Sequence, residues 1–133
     1  MNNELVEKAV SIASRVGYAL VATCDDKGLP HLAASRKIEA EPDGHIAVSE
    51  WFCPGTLSNL EVNPRISIVI WDLATDKGFQ LLGESVGVLE TAMLDGFSPT
   101  LQKPGPQVER RIRVRVEKVM DFSHAPHSDE EAP

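Results

Sequence analysis

Aromatic side chains are scarce in this 133-residue chain, at 5% of residues, so any core must be built mainly from aliphatic groups. Cysteine is nearly absent. Cys24 and Cys53 lack the C-x-x-C grouping of a redox or zinc site and are expected as reduced thiols rather than a disulfide frame. No apolar run approaches the ~20 residues that a membrane helix needs. A basic excess is missing as well: the net charge of −7 disfavours nucleic acid or an anionic membrane as partner, because both require a basic footprint. The opening MNNELVEK has neither the basic segment nor the apolar stretch of a secretory signal, so a cytoplasmic location is expected.

What remains is ordinary globular composition, 42% hydrophobic and 25% charged, in a length that fits one domain. Residues 3–16 read as an amphipathic helix with Leu5, Ala9, Ile12 and Val16 at helical spacing, ended by Gly17. The period then changes to that of strands. Six are expected, at 18–24, 31–40, 45–51, 65–72, 79–90 and 110–122, with turns at DDKG, EPDG and LATDKG. Gly83 and Gly87 inside the fifth mark a bulge or a bend, and the prolines and glycine of 91–107 argue for a surface connection. The last strand alternates, with Ile112, Val114, Val116 and Val119 as its apolar set. The end, HAPHSDEEAP, reads as a flexible tail over 123–133 behind one domain over 1–122. The pattern is mainly β: a six-stranded antiparallel barrel, closed or half-closed, with an N-terminal helix and a short helix between the third and fourth strands.

Few residues suggest chemistry. Cys53 has four histidines in the chain as conceivable bases, but no spacing supports a Cys–His pair, and a thiol packed under a loop is the better reading. His124 and His127 have no third metal ligand nearby. Asp25–Asp26 and Glu39–Glu41 are expected to cap backbone groups in turns. Alternation puts Arg111, Arg113 and Arg115 on one strand face, continued by Glu109 and Glu117, which suits a solvated or interface-lining surface. No catalytic acid, base or nucleophile stands out. The stretch WFCPGTLSNL (51–60) differs from its surroundings. Thr56 is a credible N-cap for a short helix that Asn63–Pro64 stops, and its free first-turn N–H groups can accept phosphate. Pattern alone balances that reading evenly against groups that satisfy each other and water.

The segments GYALVATCDDKGLPHLAAS, DGHIAVSEWFCPGTLSNLEVNPRISIVIWD and KGFQLLGES, in that order, resemble the FMN-binding split-barrel superfamily, which includes pyridoxamine 5'-phosphate oxidase and flavin reductases. The resemblance runs from about residue 5 to residue 122, and its most specific segment is Asn59 to Ile70, a short helix closing in N-P-R before an apolar strand. It implies a homodimer with FMN at the subunit interface and a small-molecule electron donor or acceptor. It also implies cofactor contacts at Ser35, Arg36 and Lys37 on the second strand, at Ser49, Glu50 and Trp51 on the third, at Thr56 and Leu57 opening the short helix, and at Gln80 on the fifth strand. The isoalloxazine would lie along the backbone of 34–36 and 48–51.

Two departures matter. Many members carry Arg or Lys in the loop before the short helix, where this chain has Gly55 and Thr56; Arg36 or Lys37 could supply the counter-charge from the neighbouring strand, and strand alternation allows only one of them to face the site. The long C-terminal substrate-binding extension of true pyridoxamine 5'-phosphate oxidase is replaced by SHAPHSDEEAP, which argues against that reaction. The resemblance therefore implies an FMN-dependent oxidoreductase or electron carrier. The alternatives are a split barrel holding haem or a deazaflavin, and a dimer that binds a ligand without catalysis. Haem would need an axial ligand, and His31 and His45 are not obvious ones.

Overall fold

The structure, a computed structural model, describes residues 3–49, 54–95, 106–126 and 130–132. Helix α1 (Asn3–Val16) leads into β1 (Ala19–Cys24), β2 (Pro30–Ser35), β3 (Lys37–Glu41) and β4 (His45–Ser49). Helix α2 (Pro54–Val62) follows, then β5 (Arg65–Asp72), β6 (Lys77–Asp95) and β7 (Pro106–Asp121). The strands form one antiparallel sheet in the order β2-β1-β5-β6-β7-β4-β3. Its two edge strands, β2 and β3, are neighbours in the chain with only Arg36 between them. The sheet must therefore curl until its edges meet at that residue, yet β2 and β3 are not paired with each other. The barrel is split there.

This arrangement corrects the expected strand count from six to seven. The run 31–40 is not one strand but two, because the chain bends at Arg36 and the side-chain phase slips: Ser35 and Ile38 are both buried while Arg36 and Lys37 between them are exposed. β6 and β7 also run further than expected, pairing as far as Asp95 with Pro106, into the stretch assigned to a surface connection. Register shifts interrupt that long ladder at Leu82/Gly83 and Ser85/Gly87, where the two glycines mark bulges. At Gly83 an added Cβ would stand 2.1 Å from the Arg115 carbonyl oxygen, so only glycine lets the strands approach this closely.

The core is aliphatic. Alternate residues of β5 (Ile66, Ile68, Ile70) and β7 (Ile112, Val114, Val116) point inward and meet Val21, Ile38, Ile46, Val48 and Leu81. α1 covers it through Val6, Ala9 and Ala13; Leu5 and Ile12 are only partly buried, so the helix is rotated from the expected stripe toward its smaller residues. Small side chains let the helix sit close to the sheet. Gly17 ends α1 with φ 89° and donates to the Ala13 carbonyl.

Past β7 the chain turns back. The N–H groups of Asp121 and Ala132 donate to the carbonyls of Glu130 and Val119, and Ala132 packs on the core. Residues 130–132 thus lie against β7, within the segment assigned to a flexible tail. The β5–β6 turn holds the start of that segment: Asp76 Oδ1 accepts the Trp71 indole N–H at 3.0 Å and the His124 backbone N–H at 2.7 Å. Those two bonds hold the Asp76 carboxyl below its ordinary value. At Asp72 burial alone would raise the carboxyl, but hydrogen bonds from Arg15, the Ala74 N–H and Thr75 outweigh it and the net shift is downward. No described helix is long and apolar enough to cross a membrane.

Candidate functional site

The expected site residues gather first at the bend between β2 and β3. Ser35 is buried, and its hydroxyl reaches the Ser49 carbonyl on β4 and, at 3.1 Å, the Lys37 carbonyl, while accepting the Lys37 N–H at 3.2 Å. A hydroxyl has one proton to give. The shorter contact to Ser49 takes it, so the side chain ties the end of β2 to the end of β4. Lys37 pairs in register with Ser49, which is also buried. Because the bend breaks alternation, Arg36 and Lys37 are both exposed. Arg36 has no ion-pair or hydrogen-bond partner among the described residues. Among the described residues Lys37 has one long ion-pair contact, 3.8 Å to Glu39, between exposed groups, and such pairs contribute almost nothing to stability.

The second group sits at the start of α2. The helix begins at Pro54, a favoured residue in the first helical position because its missing N–H would have had no partner. Thr56 therefore lies inside the first turn and is not the N-cap. Its side chain is fully buried, and its hydroxyl stands 3.5 Å from His31 Nδ1 on β2. One turn on, Asn59 donates to Thr23 Oγ1 at 3.0 Å, and Thr23 is the cross-strand partner of His31. Leu57 and Leu60 rest on the core. The helix is thus seated on β1 and β2 by two polar contacts and two leucines. The outward part of its first turn is Pro54–Gly55, with the His31 ring above it: a Cβ on Gly55 would come within 3.1 Å of His31 Nε2. Asn63 ends the helix as expected and accepts the Arg65 N–H through its side chain.

His31 is set aside in the sequence as a base and as a haem ligand, and no local signal marks it as a neighbour of Thr56. Its partners are 24 and 25 residues away along the chain and meet it only through the β1–β2 pairing. From His31 to Ser35 is four residues of extended chain, roughly 13 Å. The backbones of the α2 entry and of the bend at Arg36 are therefore about one strand length apart. Gln80 lies further off. It bonds to Ser67 Oγ at 2.7 Å and shares a cross-strand row with Val69, Leu20 and Ala34, three strand spacings or roughly 14 Å from β2. Glu50 and Trp51 fall outside the described residues. Of the expected contacts, Ser35, Arg36, Lys37 and Ser49 come together, Thr56 and Leu57 form the second group, and Gln80 stands apart.

The carboxylates take other roles than expected. Asp25 does cap a turn, accepting the N–H groups of Lys27 and Leu29. Glu39 and Glu41 instead lie on β3 and pair with Arg111 and Arg113 across the sheet. With Arg115–Glu84 and Arg65–Glu117 they make the arginine face a neutralised surface ladder.

No family model and no curated protein matches the sequence. Solved structures do. HupZ from Group A Streptococcus is 21% identical, matched over 96% of this chain and 98% of its own, with a TM-score of 0.63. A pyridoxamine 5'-phosphate oxidase-related, FMN-binding protein from Nostoc punctiforme is 12% identical over 88% of this chain and 81% of its own, with a TM-score of 0.63. A protein described as F420 reductase is 15% identical over 82% of this chain and 93% of its own, with a TM-score of 0.59. At such identities the likeness is one of fold, and the fold is the split barrel.

Proposed function

We propose that the protein is an FMN-binding flavoprotein that works as a homodimer and passes electrons between bound flavin and a small-molecule donor or acceptor. The observation that carries this reading is the bend at 35–37 in a split-barrel fold: two outward cations, one with no partner among the described residues, where a phosphate needs counter-charge. Arg36 can grip a phosphate with two N–H groups and Lys37 adds a point charge. Gly55, at the other polar end, offers no charge. The phosphate is accordingly assigned to Arg36 and Lys37, not to the Thr56 hydroxyl, which is buried against His31.

Ser35 and Ser49 then act indirectly, by fixing the backbone from which the two cations project. The ring would run along the backbone of 34–36 and 48–49, toward the Pro54–Gly55 end, with Glu50, Trp51 and Leu57 as flanking contacts and Gln80 reached across the sheet. An elongated ligand with one anionic end suits two polar ends a strand apart. Bound flavin supplies hydride or electron transfer, and the residues of this chain bind and orient it. No side chain is assigned as an acid or base. The dimer is favoured by the outer face of β2, β1, β5 and β6. There Leu32 is 62% exposed, and Ala34, Leu20, Ala22, Val69 and Leu82 leave apolar surface that a second copy can cover.

Titration of the protein with FMN, followed by flavin fluorescence and by mass in solution, tests the reading. One flavin per chain in a two-chain particle is expected, with a perturbed flavin spectrum. A free-flavin spectrum at high micromolar FMN would sink it. The match to an F420 reductase favours a second reading, a deazaflavin in the same place; tighter retention of a deazaflavin than of FMN would select it. NADH or NADPH oxidation no faster than with free FMN would point to a binding protein without catalysis.

A further inference from the structure

The outer edge of β7 changes neighbour partway along. β4 covers it as far as the pair His45–Arg115, and the Val116 N–H then donates to the Gly44 carbonyl at 2.9 Å. The ladder to β6 shifts register at Leu82/Gly83, leaving Glu117 without a register partner there. Beyond that bulge the returning chain takes the place of β4. Met120 pairs antiparallel with Glu131, flanked by two bonds of 2.9 Å: the Asp121 N–H donates to the Glu130 carbonyl, and the Ala132 N–H to the Val119 carbonyl. Residues 130–132 are therefore a short strand added to an open edge, at the far end of β7 from the bend at Arg36.

That register fixes what each added position meets. Ala132 lies opposite Val119, which is 5% exposed, and packs on the core, so this position suits a small apolar side chain. Two residues away and on the same face, Glu130 lies opposite Asp121. Asp121 is half-buried, and its carboxylate has no ion-pair or hydrogen-bond partner among the described residues; Lys8 and Lys77 border the depression beside it without forming an ion pair to it. Carboxylates on directly opposite positions disfavour strand pairing, whereas a cation opposite Asp121 favours it. The chain's own segment thus brings the right backbone and the wrong charge. Two backbone bonds and one alanine hold it, against the conformational freedom of the chain that leads back to it.

We propose that the β7 edge at 119–121 is a strand-addition site for an extended cationic peptide, with a basic residue opposite Asp121 and a small aliphatic one opposite Val119, and that residues 130–132 are its displaceable placeholder. The net charge of −7 favours encounter with such a partner. Full-length variants and two capped pentapeptides, TKVAT and TEVAT, test it by calorimetry and backbone-amide NMR. Ala132→Pro removes the N–H that binds the Val119 carbonyl and so opens the edge. TKVAT is expected to bind this variant at least about fivefold tighter than the unchanged chain, whose edge is mostly occupied. It should also bind at least about threefold tighter than TEVAT, and adding Asp121→Asn should bring the two peptides to equal affinity. The amides that shift should centre on Val119, Met120 and Asp121 and leave Ser35 and Lys37 in place. Within the chain, Glu130→Lys alone should slow amide exchange at Asp121 and Ala132 at least about threefold. Equal binding of the two peptides before Asp121 is changed, a preference that survives Asp121→Asn, exchange no slower in Glu130→Lys, shifts confined to other surfaces, unchanged affinity in Ala132→Pro, or no binding at millimolar peptide would each overturn the proposal. A failed FMN titration bears only on the flavin reading.

Discussion

The arginines of the sheet and the arginine of the bend have opposite fates. Arg65, Arg111, Arg113 and Arg115 each meet a carboxylate, at 2.6 Å to Glu117, 3.0 and 3.1 Å to Glu41, and 3.1 Å to Glu84. Their stems also cover neighbouring surface: Ala47, opposite Arg113 and on the same face, is fully buried. Arg36 meets no carboxylate among the described residues. Arg111, Arg113 and Arg115 look like a basic patch in the sequence and are electrically closed in the fold, while the modest SRK is open. What marks a possible anion site is unpaired charge, not the number of basic residues in a run.

The largest expected effect follows from that difference. Arg36→Ala should weaken FMN binding by about 1.5–3 kcal/mol, the range for a charge-assisted contact, or roughly ten- to over a hundredfold in Kd. Arg113→Ala should leave FMN affinity within about twofold, since its charge is already spent on Glu41. Riboflavin, which lacks the phosphate, separates charge from shape: its binding should ignore both substitutions. If the two variants lost FMN equally, the distinction between open and closed arginines would fail.

Gly83→Ala comes next and acts on the ladder's geometry instead of its charge. The new Cβ would stand 2.1 Å from the backbone oxygen of Arg115, so the bulge that sets Arg115 beside Glu84 must move. A loss of about 1–3 kcal/mol in chemical denaturation is expected, as for other overpacked sites. An alanine variant as stable as the original would show that this bulge yields cheaply.

Asp76 sharpens the contrast from the acidic side, because its carboxylate is bound by N–H donors where the ladder's are bound by cations. Its folded value lies below the unfolded one near 3.8, so its stabilising contribution is complete above that value and fades as pH falls through the lowered folded value. Trp71 fluorescence should change in that acid range, and Asp76→Asn should remove the pH dependence. An identical acid transition in the asparagine variant would assign it to another carboxyl.

Much of the frame was legible beforehand because it depends on short-range periodicity. Residues 3–16 and 65–72 carry clean 3.6 and 2.0 periods, and the structure has an element at each. The break at Arg36 was not legible: HLAASRKIEA contains no glycine or proline, and only Ile38, buried three residues after Ser35, records the change of phase. The α2 entry was legible in place but not in depth. Thr56 has the chemistry of a cap, yet Pro54 takes the first helical position and sets the threonine inside, against His31, a neighbour set by the β1–β2 register. The neutral Gly55, odd as a phosphate contact, has a packing reason in the ring that stands 3.1 Å from where its Cβ would be.

The smallest expected effect tests whether the ladder is worth anything to the fold. Arg115 and Glu84 are 48% and 33% exposed at the side chain, so water and salt screen their attraction. A double-mutant cycle of Arg115→Ala and Glu84→Ala should give a coupling of about 0.2–1 kcal/mol at low salt, shrinking further in concentrated salt. The two residues are cross-strand partners, so each alanine also removes packing, and only the coupling term isolates the ion pair. A coupling above that range, or one that survives high salt, would mean that neighbouring charges at Glu41 and Arg65 bind the ladder into a cooperative network. The arginine face would then be a structural clamp, and its contrast with the open bend at Arg36 one of stability as well as of charge.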